Sequence, residues 1–263
     1  MLTIAHFSDI HLGQEYQGDG GARARARAEQ VMAYLGRMPG PLTAVLVTGD
    51  IADHGAPAEY ELAAKVLASD LPVLTCPGNH DVRAPYRRGL LGEETTEAGA
   101  EPADGPADGP VNRVHQLPGA TLLLCDSSIP GRDDGLLDEQ TLAWLDRSLG
   151  EGPQDVPALV AFHHPPVVLH LPYVDPMRQF GEERLAEVLA RHPRVAGLLC
   201  GHSHTAAATT FAGLPLLVAP GVVSTVAMAC EGGPDISFDQ PPMVAFHLLE
   251  DDGRLTTHLR VAL

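Results

Sequence analysis

At 263 residues, 44% of them hydrophobic, the chain has ample length for one layered α/β domain with a sizeable core. Its formal net charge of −17, from 17 basic and 34 acidic residues, disfavours a nucleic-acid polymer or an anionic membrane surface as partner, since both require basic patches. A small anionic substrate held by metal ions is compatible with that charge, because the ions are not in the count. Cys76, Cys125, Cys200 and Cys230 are widely spaced without a C-x-x-C, which predicts free thiols in a reducing cytosol. The start, MLTIAHFSD, lacks the pattern of a secretory leader, and no apolar run reaches transmembrane length. A cytoplasmic protein is the expectation.

Taken in order, residues 3–7 read as a short apolar strand ending in Ser8-Asp9-Ile10-His11. Asp9 and His11, two apart in extended chain, point to the same side. A glycine-rich loop over 14–21 precedes a helix predicted over 23–38, on which Arg23, Arg25 and Arg27 read as a solvated face. Residues 44–48 form a strongly apolar strand ending in Gly49-Asp50, where open α/β sheets place ligands. A helix over 57–69 follows, with Pro57 suited to its first turn, and then a strand over 72–76 that ends in Pro77-Gly78-Asn79-His80-Asp81.

From 83 to 110 the periodicity dissolves into EETTEAGAEPADGPADGP, read as a mobile insertion inside one domain spanning 1–263. Strand–helix alternation then resumes: a strand at 121–125, a helix at 138–149, and a strand at 157–162 ending in His163-His164-Pro165-Pro166. A helix at 181–191 leads into the apolar run that closes on Gly201-His202-Ser203-His204. The remainder, 214–263, is β-rich, with strands at 214–219, 243–249 and 255–261 and a hairpin turn at Asp251-Asp252-Gly253. The fold class is α/β, two packed sheets flanked by helices. The polar loop over 221–240 is expected to wall the mouth formed by the strand ends.

One D-x-H or H-x-H is commonplace. Five strand ends that deliver Asp9, His11, Asp50, Asn79, His80, His163, His164, His202 and His204 are not. Carboxylate, amide and imidazole donors without thiolate suit Zn, Mn, Fe or Co. The set exceeds one tetrahedral site and suits two metals, roughly 3.5–4 Å apart, that share a carboxylate and act on phosphorus.

The order D-I-H, G-D, G-N-H-D, H-H-P-P, G-H-S-H, from Asp9 to His204, resembles the calcineurin-like metallophosphoesterase superfamily, with all five blocks present. The extended second block, Gly49-Asp50-Ile51-Ala52-Asp53-His54-Gly55 with Pro57 and Tyr60, and the stretch 140–145 with Trp144, are most similar to its class III cyclic-nucleotide phosphodiesterases, which grade into glycerophosphodiesterases. The resemblance implies a four-layer αββα sandwich with a dinuclear metal site at its rim. It implies that Asp9, His11 and His204 hold one metal, that Asn79, His163 and His202 hold the other, and that Asp50 bridges them. His80 is then unligated and serves the phosphoryl oxygen or leaving group, and a metal-bound hydroxide attacks phosphorus in line. His163 is preferred to His164 as ligand, while Asp53 and Asp81 orient loops. The remaining His6, His115, His170, His192, His247 and His258 are read as structural.

The implied activity is hydrolysis of a small phosphodiester, cyclic nucleotides first, with glycerophosphodiesters as the competing substrate. A non-catalytic scaffold of the same fold is the competing class, and the complete ligand set argues against it. Self-association as a homodimer or higher homo-oligomer is included among the expected partners.

Overall fold

In the computed structural model, residues 1–93 and 109–263 are described. The first half runs β1 (Leu2–Phe7), α1 (Ala22–Gly36), β2 (Ala44–Thr48), α2 (Pro57–Val66), β3 (Val73–Cys76) and α3 (Arg83–Leu90). The middle adds β4 (Arg113–Leu117), β5 (Ala120–Leu124), β6 (Gly135–Leu136), α4 (Glu139–Glu151), β7 (Ala158–Ala161), β8 (Gln179–Phe180) and α5 (Glu182–Ala190). The last part is all strand: β9 (Val195–Cys200), β10 (Ala207–Phe211), β11 (Leu214–Val218), β12 (Thr225–Val226), β13 (Ile236–Ser237), β14 (Met243–Leu249) and β15 (Leu255–Val261).

Two mixed sheets dominate, ordered β15-β14-β1-β2-β3 and β10-β11-β9-β7-β5-β4. The near-continuous apolar character of the inner strands follows from burial on both faces. Along β2, Ala44 and Leu46 enter the core shared with the other sheet, whereas Val45 and Val47 pack towards the helices. The second sheet repeats this alternation, with Leu159 and Ala161 of β7 facing inwards and Val160 packing with Leu142, Leu145 and Leu185 of α4 and α5. The result is the expected αββα sandwich. Asp138 starts α4 by accepting the Thr141 backbone N–H at 2.7 Å.

Two expectations need correcting. The stretch 83–110 is not one irregular insertion. Its first part is helix α3, whose Tyr86 is fully buried edge-on to Tyr60 of α2, with ring centroids 5.9 Å apart. Arg87 of the same helix pairs with Glu93 and donates to the Gly109 and Pro110 carbonyls, while 94–108, with most of the PADG repeat, lies outside the described residues. Nor do the α1 arginines form a uniform solvated face. Arg25 does, pairing with Glu29, but Arg23 and Arg27, one turn apart, reach the 222–240 segment. Arg23 donates to the carbonyls of Val223 (2.9 Å) and Phe238, and Arg27 to those of Val222 (2.5 Å) and Gln240.

Behind the strand ends, a buried polar chain links β15, β14, β1 and β2. His247 Nδ1 lies 2.8 Å from Thr257 Oγ1, His247 Nε2 lies 2.9 Å from His6 Nδ1, and His6 Nε2 lies 2.8 Å from Thr48 Oγ1. Burial pushes His247 down to about 3, and burial reinforced by His247 holds His6 well below the usual imidazole range. Both are neutral in the fold. Below pH ~6.5 the unfolded chain binds protons that the folded chain refuses, so stability falls as pH falls, by about 1.4 kcal/mol per pH unit for each histidine. Melting temperatures between pH 7 and 5 are therefore expected to fall less steeply in His247→Gln than in the parent, although the variant starts lower. Equal slopes would show that the pair does not set the acid limit.

Candidate metal centre

Each predicted site residue leaves the carboxyl end of a core strand through a tight turn. Asp9, His11, Asp50, His202 and His204 all have positive φ, between 39° and 67°. Side-chain-bearing residues avoid this region, and their concentration here is stored strain at one locus. The glycines beside them permit the approach. A Cβ on Gly49 would lie 2.3 Å from His163 Nδ1, and one on Gly201 would lie 1.9 Å from Ser8 Oγ.

The turns bring the predicted residues together. Asp50 occupies the middle, with Oδ2 3.5 Å from His11 Nε2 and 3.4 Å from His163 Nε2. On one side His204 Nε2 comes within 3.3 Å of His11 Nε2 and 3.5 Å of Asp9 Oδ1. On the other, His202 Nδ1 comes within 3.3 Å of His163 Nε2. Among the described residues three groups result that could hold an ion: Asp9, His11, Asp50 and His204; His163, His164 and His202; and His11, Asp53 and His80. Asn79 lines the same cavity.

The far nitrogens of the rings are occupied, which fixes what the near ones can do. His163 Nδ1–H donates to the Thr48 carbonyl at 2.6 Å, and His11 Nδ1–H donates to Asp53 Oδ1 at 2.9 Å. Their Nε2 atoms therefore face carboxylates. His204 Nδ1 sits 2.7 Å from Ser224 Oγ. This is the carboxylate–imidazole and carbonyl–imidazole support typical of metal-binding histidines. His164 differs from His163. Its Nδ1 contacts Ser127 Oγ at 2.8 Å, and its ring is tilted against that of His202 with centroids 4.5 Å apart.

The fit to a cation can be judged from the atoms left over. Both Asp9 carboxylate oxygens, Asn79 Oδ1, His164 Nε2 and His202 Nε2 are buried without a hydrogen-bond partner. Such groups are costly to bury unpaired, and their donor types are those of a borderline divalent metal. Electrostatics point the same way. Burial raises Asp9 to about 6, with Asp50 adding to the rise. Burial opposes a charged His163, yet Asp50 and Asp9 together pull it up to about 9, a measure of the positive charge this point attracts. Burial holds His202 well below the normal range and lowers His204 to about 3, so both keep lone pairs available.

His80 is placed differently. Its backbone N–H donates to Asp50 Oδ1 at 3.0 Å, its Nδ1–H donates to the Asp53 carbonyl at 2.8 Å, and its side chain is 40% exposed at the cavity. Asp81 is a loop organiser, accepting from the backbone N–H groups of Ile51, Ala52 and Gly78 and from the Tyr60 hydroxyl. Sequence reasoning missed Thr48, Ser127 and Ser224 as ring partners. Neither the Thr48 carbonyl nor a lone serine hydroxyl carries a motif, and each is at least 20 residues from the ring it holds. Arg83 and Arg87 do not line the cavity; Arg83 is paired with Asp126 at 2.8 Å.

The cavity over these groups measures about 240 Å³. Its outer wall includes Val226, Ile236 and Phe238 from the 221–240 segment, as its polar, Gly/Pro-containing sequence suggested.

Comparison with known proteins gives concordant matches. A family model described as calcineurin-like phosphoesterase matches residues 2–206. A probable cyclic nucleotide phosphodiesterase of Rhodococcus erythropolis is 33% identical over 237 residues, spanning 88% of this chain and 74% of that protein. A glycerophosphodiester phosphodiesterase GpdQ of Enterobacter lignolyticus is 30% identical over 250 residues, spanning 94% and 86%. In fold, a dimetal phosphatase from Danio rerio superposes with a TM-score of 0.67 at 19% identity, covering 100% of this chain and 96% of that one.

Proposed function

The chain belongs to the calcineurin-like phosphoesterase family, and from that premise we propose that it is a metal-dependent phosphodiesterase acting on small diesters, cyclic nucleotides first. The observation that carries the reading is Asp50, whose Oδ2 lies near both His11 and His163 while Asp9, Asn79 and His202 beside it hold buried polar atoms without a partner. Asp9, His11 and His204 would hold one ion, Asn79, His163 and His202 the other, and Asp50 both. The donor set suits Fe, Mn, Zn or Co. Ions bound there supply Lewis acidity at phosphorus and lower the pKa of water.

The chain's own groups do the rest. Asp53 and the Thr48 carbonyl fix His11 and His163 with their Nε2 atoms inwards. His80, with Nδ1 tied to the Asp53 carbonyl, presents Nε2 as the group that delivers a proton to the departing oxygen. Among the described residues lining the cavity none is Lys or Arg. A diester monoanion is therefore better matched than a monoester, whose second charge would lack a counter-ion. The three buried free thiols, Cys76, Cys125 and Cys200, support a cytoplasmic setting. Among the described residues no helix is long and apolar enough to cross a membrane.

Elemental analysis is expected to find about two transition-metal ions per chain, and a strong chelator to abolish hydrolysis of a chromogenic phosphodiester. Activity that survives thorough metal removal would sink the mechanism. On metal-replete protein, initial rates on 2′,3′-cAMP, 3′,5′-cAMP and glycerophosphoethanolamine are expected to exceed that on plasmid DNA, which the net charge of −17 repels. A faster rate on the plasmid overturns the small-substrate reading.

A further inference from the structure

The cavity has two unlike walls. One carries the donor groups just described. The other is apolar, built from Tyr173, Val174, Met177, Val226, Ile236 and Phe238. Phosphate chemistry needs only the first wall.

The second wall is a constructed unit. Leu171, Val174 and Val226 form a small core of their own, separate from the three large cores, with Met177 and Ile236 packed against it. It joins two segments distant in sequence, the loop after the His163-His164 pair and the β12–β13 hairpin, where Val226 pairs with Ile236. Asp175 rigidifies the first by accepting the backbone N–H groups of Leu169 (2.8 Å) and Leu171 (3.0 Å). The second is anchored by α1. Arg23 lies 5.0 Å from the centroid of Tyr16 and 5.4 Å from that of Phe238, whose rings are 4.7 Å apart, and it also donates to the Phe238 carbonyl. Phe238 is thus held by stacking and by its backbone. Tyr173, on the opposite loop, is 46% exposed, an aromatic face presented beside the cavity with little to cover it.

We propose that this wall is a nucleobase subsite, with Phe238 and Tyr173 as its aromatic faces and Arg23 as the positioning residue for Phe238. The proposal rests on the phosphodiester reading above and narrows its substrate class to diesters bearing a planar base. A glycerol or ethanolamine substituent is polar and flexible and gains little from aromatic walls. A base gains stacking from any aromatic face, without needing a specific hydrogen-bond pattern.

The test compares 3′,5′-cAMP with base-free glycerophosphoethanolamine on metal-replete protein. In Phe238→Leu and Tyr173→Ala, the ratio of kcat/KM for 3′,5′-cAMP to that for glycerophosphoethanolamine is expected to fall roughly ten-fold, mainly through KM for the nucleotide. Arg23→Met is expected to shift the ratio the same way, and Arg23→Lys to restore part of it; a merely structural Arg23 would lower both substrates alike. Adenosine binding, followed by saturation-transfer NMR, needs no turnover. It is expected in the parent and weakened in Tyr173→Ala, whose exposed position tolerates truncation. Equal losses on both substrates, or diester hydrolysis without adenosine binding, overturn the subsite while the phosphodiester reading stands. Adenosine binding that weakens in Tyr173→Ala, with no diester hydrolysed, supports the subsite and overturns the phosphodiester reading instead.

Discussion

His80→Ala is expected to keep its bound ions and lose about 10²–10⁴-fold in kcat on a phosphodiester, whereas Asp50→Ala loses ions and rate together. The two residues are neighbours, yet their surroundings differ. Asp50 is buried, and its Oδ2 lies near both His11 and His163. Removing it takes away the charge that would balance a cation held by those residues. His80 does share a possible ion-holding group with His11 and Asp53. There, however, Asp53 Oδ1 already accepts from His11, and His80 Nδ1 is committed to the Asp53 carbonyl. The contact from His80 to Asp50 runs through the backbone N–H, which alanine preserves. Elemental analysis of both variants beside single-turnover rates decides it. Equal metal loss in the two would make His80 a ligand and leave the leaving group without its acid.

Gly78→Ala should be nearly as damaging, although it removes no functional group. A Cβ at this position would stand 2.2 Å from Asp50 Oδ1 and 2.5 Å from the Asp50 backbone nitrogen. A flexible side chain could yield, but the backbone of a residue at φ 49° cannot do so cheaply. The central carboxylate must therefore move. Displacement of a reacting group by about 1 Å costs on the order of 10²-fold in rate. Reduced metal content and a loss of that size are expected in Gly78→Ala. In Gly36→Ala, at a helix position with nothing within 4 Å of the added carbon, neither is expected. Parent-like kinetics in Gly78→Ala would mean that the 77–81 turn is softer than its contacts suggest.

How much of this was legible beforehand depended on range. Strands β2, β14 and β15 have the bounds read from apolar patterning, because inner strands and hairpins announce themselves locally. The polar strand-end blocks were visible for the same reason, each being two to five consecutive residues at the end of an apolar run. Strands β4 and β10 were missed. RVHQL and AATTF lie at the two edges of the larger sheet, bury few side chains and carry no apolar run. Helix α3 was missed because RAPYRRGL offers little apolar face, and its burial rests on Tyr86 meeting α2. The tethering by Arg23 and Arg27 lay beyond local reading altogether, since the carbonyls they hold are some 200 positions away. The aromatic wall escaped likewise: Tyr173 and Phe238 belong to no motif and meet only at the cavity.

The place of β14 in the smaller sheet bears on how the polypeptide reaches its final form. Leu2 pairs with Leu249 and His6 with Ala245, so β1 is bordered by a strand synthesised well over 200 residues after it. On its other side β1 gains β2 within 50 residues. During synthesis β1 therefore carries one satisfied edge and one open edge while some 200 further residues are added, at about 5–20 residues per second. An open, apolar edge is a template for pairing with whatever strand arrives. The turn carrying Asp9 and His11 grows directly from that strand, and its neighbour Ser8 takes its backbone partners from Pro220 and Val222. The nascent chain thus holds the first donors long before the 220–222 segment that fixes their geometry exists, and a centre assembled in this order closes only after that segment has been made.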